Sequence, residues 1–548
     1  MTPNSEQKAI ITAKAPQIVV IAGPGSGKTA TLVHRLKAQP WHDEDPCRTA
    51  VVTFTVAAAD ELKARLGDDS GEFHHIGTLH SLCIKLLERS MHYKKGLIVL
   101  DEESADELIK AVADQIKIKK SAKELRRMVS TPARKGSEAA MLFKAYSAAL
   151  QVLNAIDFDV ILLKTLELLP TWGDVGIDHL YVDELQDSSA IDLAIYRGIP
   201  AKTRFFIGDP DQAIYGFRGG RMENVLEISS EIGWHNATLE TNYRSRSEIC
   251  KIAGTLIKNN SKRVSKNLIP HQPGGGLITV DRFANSVGEA NAITDKIKGL
   301  LEAGTEPSEI AILCRYNRHA AGLATFLEAS GVPVKARQRI EISELDGAIK
   351  AANAILSQNA IAWALASGKI NPVDLLSNGR IDQAILTETL NEIEPFPTTD
   401  QELYVSLRVM NVRDRAARTL AMLSRSPEGG IDLRRGIDAA REITTEGRTG
   451  MGSGVSCITM HAAKGLEFDF VFIPAMEQEV LPGAKKGDDL EEQRRLMFVA
   501  ITRAKIALIL TFSDSRSGWQ PGTTEHHAPS DLLAEMGLIA PISQSDGD

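Results

Sequence analysis

The chain predicts an α/β fold with parallel sheet, and three observations carry that expectation. Four β-branched residues, Ile18-Val19-Val20-Ile21, fit a strand covered on both faces, and they pass through a glycine-rich turn into a helical stretch. The alternation then recurs, because Thr49 to Thr55 reads as a strand and Ala57 to Leu66 as a helix with Ala58, Leu62 and Leu66 on one face. Further apolar runs at His179-Leu180-Tyr181-Val182 and Arg204-Phe205-Phe206-Ile207 each end in acidic residues. Strand, loop and helix in repeated order give a parallel sheet with helices on its faces.

Bulk properties narrow the class. With 548 residues the chain exceeds what one hydrophobic core serves, and 43% apolar with 24% charged residues is globular composition. Several domains are expected. A formal charge of −8 gives no global attraction to nucleic acid, so such binding needs a locally basic groove. Cys47, Cys83, Cys250, Cys314 and Cys457 lie far apart without a C-x-x-C pair, which argues against a zinc module or a disulfide scaffold. The N-terminus lacks a signal pattern and no apolar run nears the roughly 18 residues of a membrane span. The expectation is a soluble protein of the reducing cytoplasm with no membrane partner.

Each element adds chemistry in turn. Asn4-Ser5-Glu6-Gln7 resembles a capped helix start. The turn Ala22-Gly23-Pro24-Gly25-Ser26-Gly27-Lys28-Thr29 reads as a phosphate-binding loop: its glycines let backbone N–H groups surround an anion at a helix N-terminus. Lys28 would reach the β- and γ-phosphates of ATP, and Thr29 would offer its hydroxyl to Mg²⁺. Ala22 stands where the strict pattern has glycine. Gly77-Thr78-Leu79-His80-Ser81 opens a helix. From about 86 to 168 the chain reads as mostly helical, with basic positions Lys117, Lys119, Lys120, Lys123, Arg126, Arg127, Arg134 and Lys135. These are either a solvated helix face or a phosphate-tracking surface. At Asp183-Glu184-Leu185-Gln186-Asp187, carboxylates at a buried strand end require a cation; Asp183 would hold Mg²⁺ and Glu184 would orient or deprotonate the attacking water. In Gly208 to Gly219, Gln212 would sense the γ-phosphate while Tyr215 and Phe217 face a base, unless those aromatics are core.

Taken together, the ordered motifs resemble a UvrD/Rep-type superfamily 1A DNA helicase. They are Gln7, Ala22 to Thr29, Thr53-Phe54-Thr55, Gly77 to His80, Val182 to Asp187 and Gly208 to Gly219. The series continues with Leu239-Glu240-Thr241-Asn242-Tyr243-Arg244-Ser245, Thr459 to Phe468 and Glu492 to Ala504. The resemblance implies two RecA-like parallel-sheet domains with ATP between them, each carrying a mainly helical insertion. The first would span 1-85 and 169-245, interrupted by 86-168, and the second 246-340 and 448-548, interrupted by 341-447. Gln7 would read the adenine edge, Tyr243 stack on its face, Glu467 contact the ribose, and Arg244 and Arg503 act as arginine fingers. Phe54, Thr55, Thr78, His80, Tyr215, Phe217 and Trp519 would touch DNA.

Departures from the family pattern shape the expectation. Val56-Ala57 replaces an Asn-Lys pair, Phe217 a tryptophan, and the 341-447 insertion is short and lacks a Gly-Ile-Gly pattern. The implied activity is ATP-dependent 3′-to-5′ movement on single-stranded DNA, acting at single-strand/duplex junctions with unwinding. The alternative is a translocating or DNA-sensing ATPase subunit of a repair or defence complex that does not unwind alone.

Overall fold

The structure, a computed structural model, describes residues 2–38, 48–89, 98–100, 102–130, 136–152, 155–216, 220, 222–335, 349, 376–377, 380–381, 420, 424–425, 434–440, 454–483, 487–517 and 524–540. Phe217, Trp519, Arg134, Lys135 and most of the 341-447 insertion lie outside them. The chain divides into two compact units, one formed by Met1–Leu79, Asp174–Ala336 and Gly452–Asp548, the other by His80–Gly173 and Arg337–Met451.

The larger unit holds two parallel sheets. The first contains β1 (Gln17–Ala22), β2 (Thr49–Thr53), β3 (His75–Thr78), β4 (His179–Val182), β5 (Thr203–Gly208) and β6 (His235–Leu239), in the order β3-β2-β4-β5-β1-β6. Every pairing in it is parallel. Helices α1 (Ser5–Thr12), α2 (Lys28–Ala38) and α3 (Val56–Leu66) accompany it. Ile18, Val20, Leu32, Leu36, Val51, Leu62, Tyr181 and Phe205 form its core. The fully buried Arg35 ties α2 to α1 by donating to the carbonyls of Ile10 at 2.6 Å and Ile11 at 3.2 Å.

The second sheet contains β7 (Leu277–Phe283), β8 (Ile310–Cys314), β9 (Ser456–Thr459), β10 (Phe468–Ile473) and β11 (Ala504–Ser513), in the order β7-β11-β10-β8-β9, again all parallel. Helix α4 (Ser247–Ile257) and helix α5 (Asp488–Ile501) pack on it through Ile249, Ile252, Leu256, Leu496 and Val499. Ile214, from the loop after β5 of the first sheet, is fully buried in this second core. Burial of such a side chain contributes about 1.5–3 kcal/mol, so the loop is anchored across both halves.

Two strands of the first sheet are not legible in the sequence. Edge strand β3 contains a glycine and only one large apolar residue, and β6, the opposite edge, is mostly exposed along His235-Asn236-Ala237-Thr238. Neither has the apolar run that marks a central strand. The capped start at Asn4 is present: Asn4 Oδ1 accepts from the Gln7 amide at 2.8 Å, and Gln7 Oε1 from the Asn4 amide at 3.0 Å.

In the smaller unit, helices Glu102–Gln115, Ala122–Ser130, Glu138–Val152 and Phe158–Leu168 surround a short parallel pair, Ile98–Leu100 with Ala155–Asp157. Asp157 caps the last helix through the Val160 amide at 2.7 Å and accepts from the Tyr146 hydroxyl at 2.5 Å. Burial raises its carboxyl above the usual range. Arg126, one of the basic-run positions, turns inward to Asp106 at 2.7 Å and Asp159 at 3.3 Å, whereas Lys117, Lys119, Lys120, Lys123 and Arg127 are exposed. Among the described residues no helix is long and apolar enough to cross a membrane.

Candidate nucleotide and nucleic-acid site

Parallel sheets bind ligands beyond the C-terminal ends of their strands, where the first sheet places its motifs. Ala22 ends β1 and leads into the loop, Asp183 follows β4, and Asp209 follows β5. The second sheet contributes from its opposite end, since Glu467 immediately precedes β10 and Arg503 immediately precedes β11.

The loop is built by glycine and held by a distant segment. Gly25 and Gly27 have φ of 63° and 78°, and a Cβ on Gly25 would lie 2.7 Å from Arg244 Cβ. Side chains are therefore excluded by conformation and by space. Ser26 Oγ donates to the Gly23 carbonyl at 2.8 Å. From the far side, Asn242 Nδ2 donates to the Pro24 carbonyl at 2.7 Å and the Tyr243 amide to the Gly25 carbonyl at 2.9 Å. Asn242 Oδ1 accepts from the amides of Arg244 at 2.9 Å and Ser245 at 2.7 Å, a tight turn that presents Tyr243 and Arg244. Nothing in the sequence marks Asn242 for this role, because its partner Pro24 lies 218 residues away.

Beside the loop lies a small pocket lined by Pro3, Gln7, Ile11, Ala30, His34 and Tyr243, among others. Gln7 Nε2 also donates to the Ser26 carbonyl at 3.1 Å. One N–H and one lone pair of its amide remain after these bonds, the pair an adenine edge requires.

The carboxylates form an interdependent group. Lys28 Nζ sits 3.4 Å from Glu184 Oε1. Burial alone would raise the Glu184 carboxyl, but the Lys28 and Lys464 ammonium groups and the Gln186 amide outweigh it and hold it below the usual range. Asp183 moves the other way, because burial and the Glu184 charge both disfavour its ionised form. Glu184 occupies left-handed backbone at φ 54°, a strained conformation for a non-glycine residue. Gln186, fully buried, donates to Glu184 Oε2 and accepts from the Asp209 amide at 2.9 Å. A Cβ on Gly208 would lie 2.6 Å from Gln186 Oε1, so this bridge requires glycine at the end of β5.

Both arginines reach the same region. Arg244 donates to Glu467 Oε2 at 2.7 Å and to the Thr502 carbonyl at 3.2 Å. Arg503, 2% exposed, donates to Gln212 Oε1 at 3.3 Å and to the carbonyls of Val499 at 2.9 Å and Leu466 at 3.1 Å. Burial and the neighbouring Arg244 charge push its guanidinium down to about 9. Such a buried cation favours an incoming anion.

Among the residues expected to touch DNA, Phe54 and Tyr215 stack on each other with centroids 5.2 Å apart and planes 22° apart. Lys464 lies 5.0 Å over the Tyr215 ring and donates to Asp187 at 2.5 and 2.8 Å and to the Gln212 carbonyl at 2.9 Å. Burial nonetheless raises Asp187 to about 6. Thr55 caps α3 by accepting from the Ala58 amide at 3.1 Å, and Thr78 is the last residue of β3. In the smaller unit, the His80 ring is 5.5 Å from Phe158, which is 56% exposed. Nothing in the sequence marks Phe158 as a surface aromatic, because it sits in an otherwise helical apolar stretch.

Mg²⁺ fits the donor set. Among the described residues no group of three or more His, Cys, Asp or Glu could hold a metal, yet Mg²⁺ needs only one or two carboxylates when phosphates complete its shell. Asp183, held up by burial, is the carboxylate such a cation would relieve, and Thr29 opens α2 beside Lys28.

These features define a P-loop nucleotide-binding protein in which two parallel sheets contribute to one site. The UvrD/REP helicase N-terminal domain matches residues 3–233, and the UvrD-like helicase C-terminal domain matches 237–342 and 440–515. The chain belongs to the UvrD/Rep helicase family. It is 26% identical to the ATP-dependent DNA helicases PcrA of Staphylococcus epidermidis and Staphylococcus aureus, over 97% of this chain and 86% of the relatives' length.

Proposed function

We propose that this chain is an ATP-dependent DNA helicase that moves 3′ to 5′ along single-stranded DNA. The observation that carries the reading is the convergence of Lys28, Glu184, Gln212 and Arg244 from the first half with Arg503 from the second around one loop. Phosphoryl transfer needs positioning and charge stabilisation from both sides of the γ-phosphate, which this set supplies. Gln7 and Tyr243 hold the base, and Glu467 the ribose. The backbone N–H groups and Lys28 bind the phosphates, and Asp183 and Thr29 would hold Mg²⁺, which would neutralise charge on them.

Lys28 leaves Glu184 for the phosphates, and the freed carboxylate, ionised because of its cationic surroundings, takes the water proton. Arg503 turns from Gln212 toward the γ-phosphate, releasing Gln212 Oε1 to orient that water. Tyr215, with Phe54, Phe217 and Trp519 as further stacking surfaces, takes unpaired bases, each stack contributing about 1–3 kcal/mol. The two RecA-like domains carry their insertions at 86-168 and 341-447.

The test compares ATPase activity and strand separation on 3′-tailed, 5′-tailed and blunt duplexes. Lys28→Ala abolishes turnover, and Glu184→Gln keeps ATP binding while losing about a hundredfold or more in rate. Unwinding from the 5′ tail alone overturns the polarity. The missing Gly-Ile-Gly pattern favours a second reading, a translocating subunit of a repair or defence assembly; DNA-stimulated hydrolysis without strand separation would select it.

A further inference from the structure

Lys266 lies between α4 and β7 and is nearly buried, with its side chain 4% exposed. Its ammonium contacts Asp209 Oδ1 and lies 3.0 Å from Asp211 Oδ2, while Arg263 Nη2 reaches the same Asp211 oxygen at 3.1 Å. Asp209 is fully buried and Asp211 is 2% exposed. Two cations from the second half thus balance two carboxylates from the first, and burial of the ammonium is outweighed by those carboxylates. None of these four groups belongs to the hydrolytic set above.

The cluster leads directly to that set. Asp209 Oδ2 accepts from Gln212 Nε2 at 2.5 Å, and Gln212 Oε1 accepts from Arg503 Nη2 at 3.3 Å. A carboxylate takes only a donor and a guanidinium gives only one, so the amide of Gln212 has a single permitted orientation. Asp209 is held in turn by Lys266 and by the Asp211 amide at 3.1 Å. We propose that Lys266 is a positioning residue for ATP hydrolysis, fixing through Asp209 the side-chain orientation of Gln212 and, through it, Arg503.

This inference rests on the hydrolytic reading. Lys266→Met removes the ammonium and leaves two carboxylates facing one arginine. The double variant Lys266→Met/Asp211→Asn restores the charge balance while Asp209 still lacks its ammonium. Lys266→Arg keeps a cation at the position. With ATP and a single-stranded oligonucleotide, kcat is expected to fall at least about tenfold in Lys266→Met while KM for ATP stays within about twofold, the pattern of lost orientation. The double variant recovers thermal stability and keeps the low kcat, and Lys266→Arg returns kcat to within a few-fold of wild type. Recovery of kcat together with stability in the double variant would make Lys266 merely structural and overturn the proposal. Unchanged kcat in Lys266→Met would overturn it too. A wild-type chain without DNA-stimulated hydrolysis would instead refute the hydrolytic reading, so the two failures are distinguishable.

Discussion

Asn242 has no net charge and no reactive atom, yet its amide joins the phosphate loop to the turn carrying Tyr243 and Arg244. Replacing it with alanine leaves the Pro24 carbonyl and two amides without their partner at a fully buried position. Each such loss costs about 1–3 kcal/mol. Asn242→Ala is therefore expected to lower the unfolding free energy by several times that of a surface substitution and to raise KM for ATP; a KM equal to wild type would show that the loop holds its shape without this turn. Residues such as Lys28 and Glu184 stand out in a sequence because ionisable groups beside glycine turns or strand ends demand a partner, whereas Arg503 enters only through the family resemblance of its motif. Asn242, Gln186 and Lys266 do not, because their importance lies in contacts made after folding, 218 residues apart in the case of Asn242 and Pro24.

Strands β1, β2 and β4 are legible because both faces are covered and their apolar runs are unbroken. Edge strand β3 escapes because it is short and carries a glycine with one large apolar residue, although it is mostly buried, and β6 because it is mostly exposed. How β2 and β4 are locked at their starts is equally hidden. Arg48 donates to Asp178 at 2.6 and 3.0 Å, and the Asp178 amide donates back to the Arg48 carbonyl at 2.8 Å. The Arg48 guanidinium holds the Asp178 carboxyl below its ordinary value. That value is about 3.9 in an unfolded chain, so the stabilisation is fully present above it and is lost as pH falls through the lower folded value. Arg48→Met is thus expected to be less stable than wild type at pH 7, with the gap narrowing below about pH 4. Denaturant midpoints measured from neutral to acid pH check this, and a gap that does not vary with pH would remove the ion pair as its cause.

Across the whole molecule, the proposed nucleotide and DNA sites would meet at Lys464, which touches Asp187, the Gln212 carbonyl and the Tyr215 ring. If bases on Tyr215 shift this ammonium, DNA alters the hydrolytic carboxylates, and by linkage ATP alters DNA affinity equally. Tyr215→Ala should lose stimulation by single-stranded DNA while retaining basal hydrolysis; equal loss of both would place Tyr215 in the core instead. The second half joins the first through the stretch after β6, where Gly23 and Gly25 bond to Leu239 and Tyr243 on one side and Ser245 and Arg246 bond to Ala504 and Lys505 on the other. The stretch that joins the halves is therefore hydrogen-bonded to the loop proposed to hold phosphate. One consequence can be timed: the Tyr243 amide proton, donated to Gly25, exchanges with solvent only when this seam opens, so its deuterium uptake is a clock for the motor's stroke.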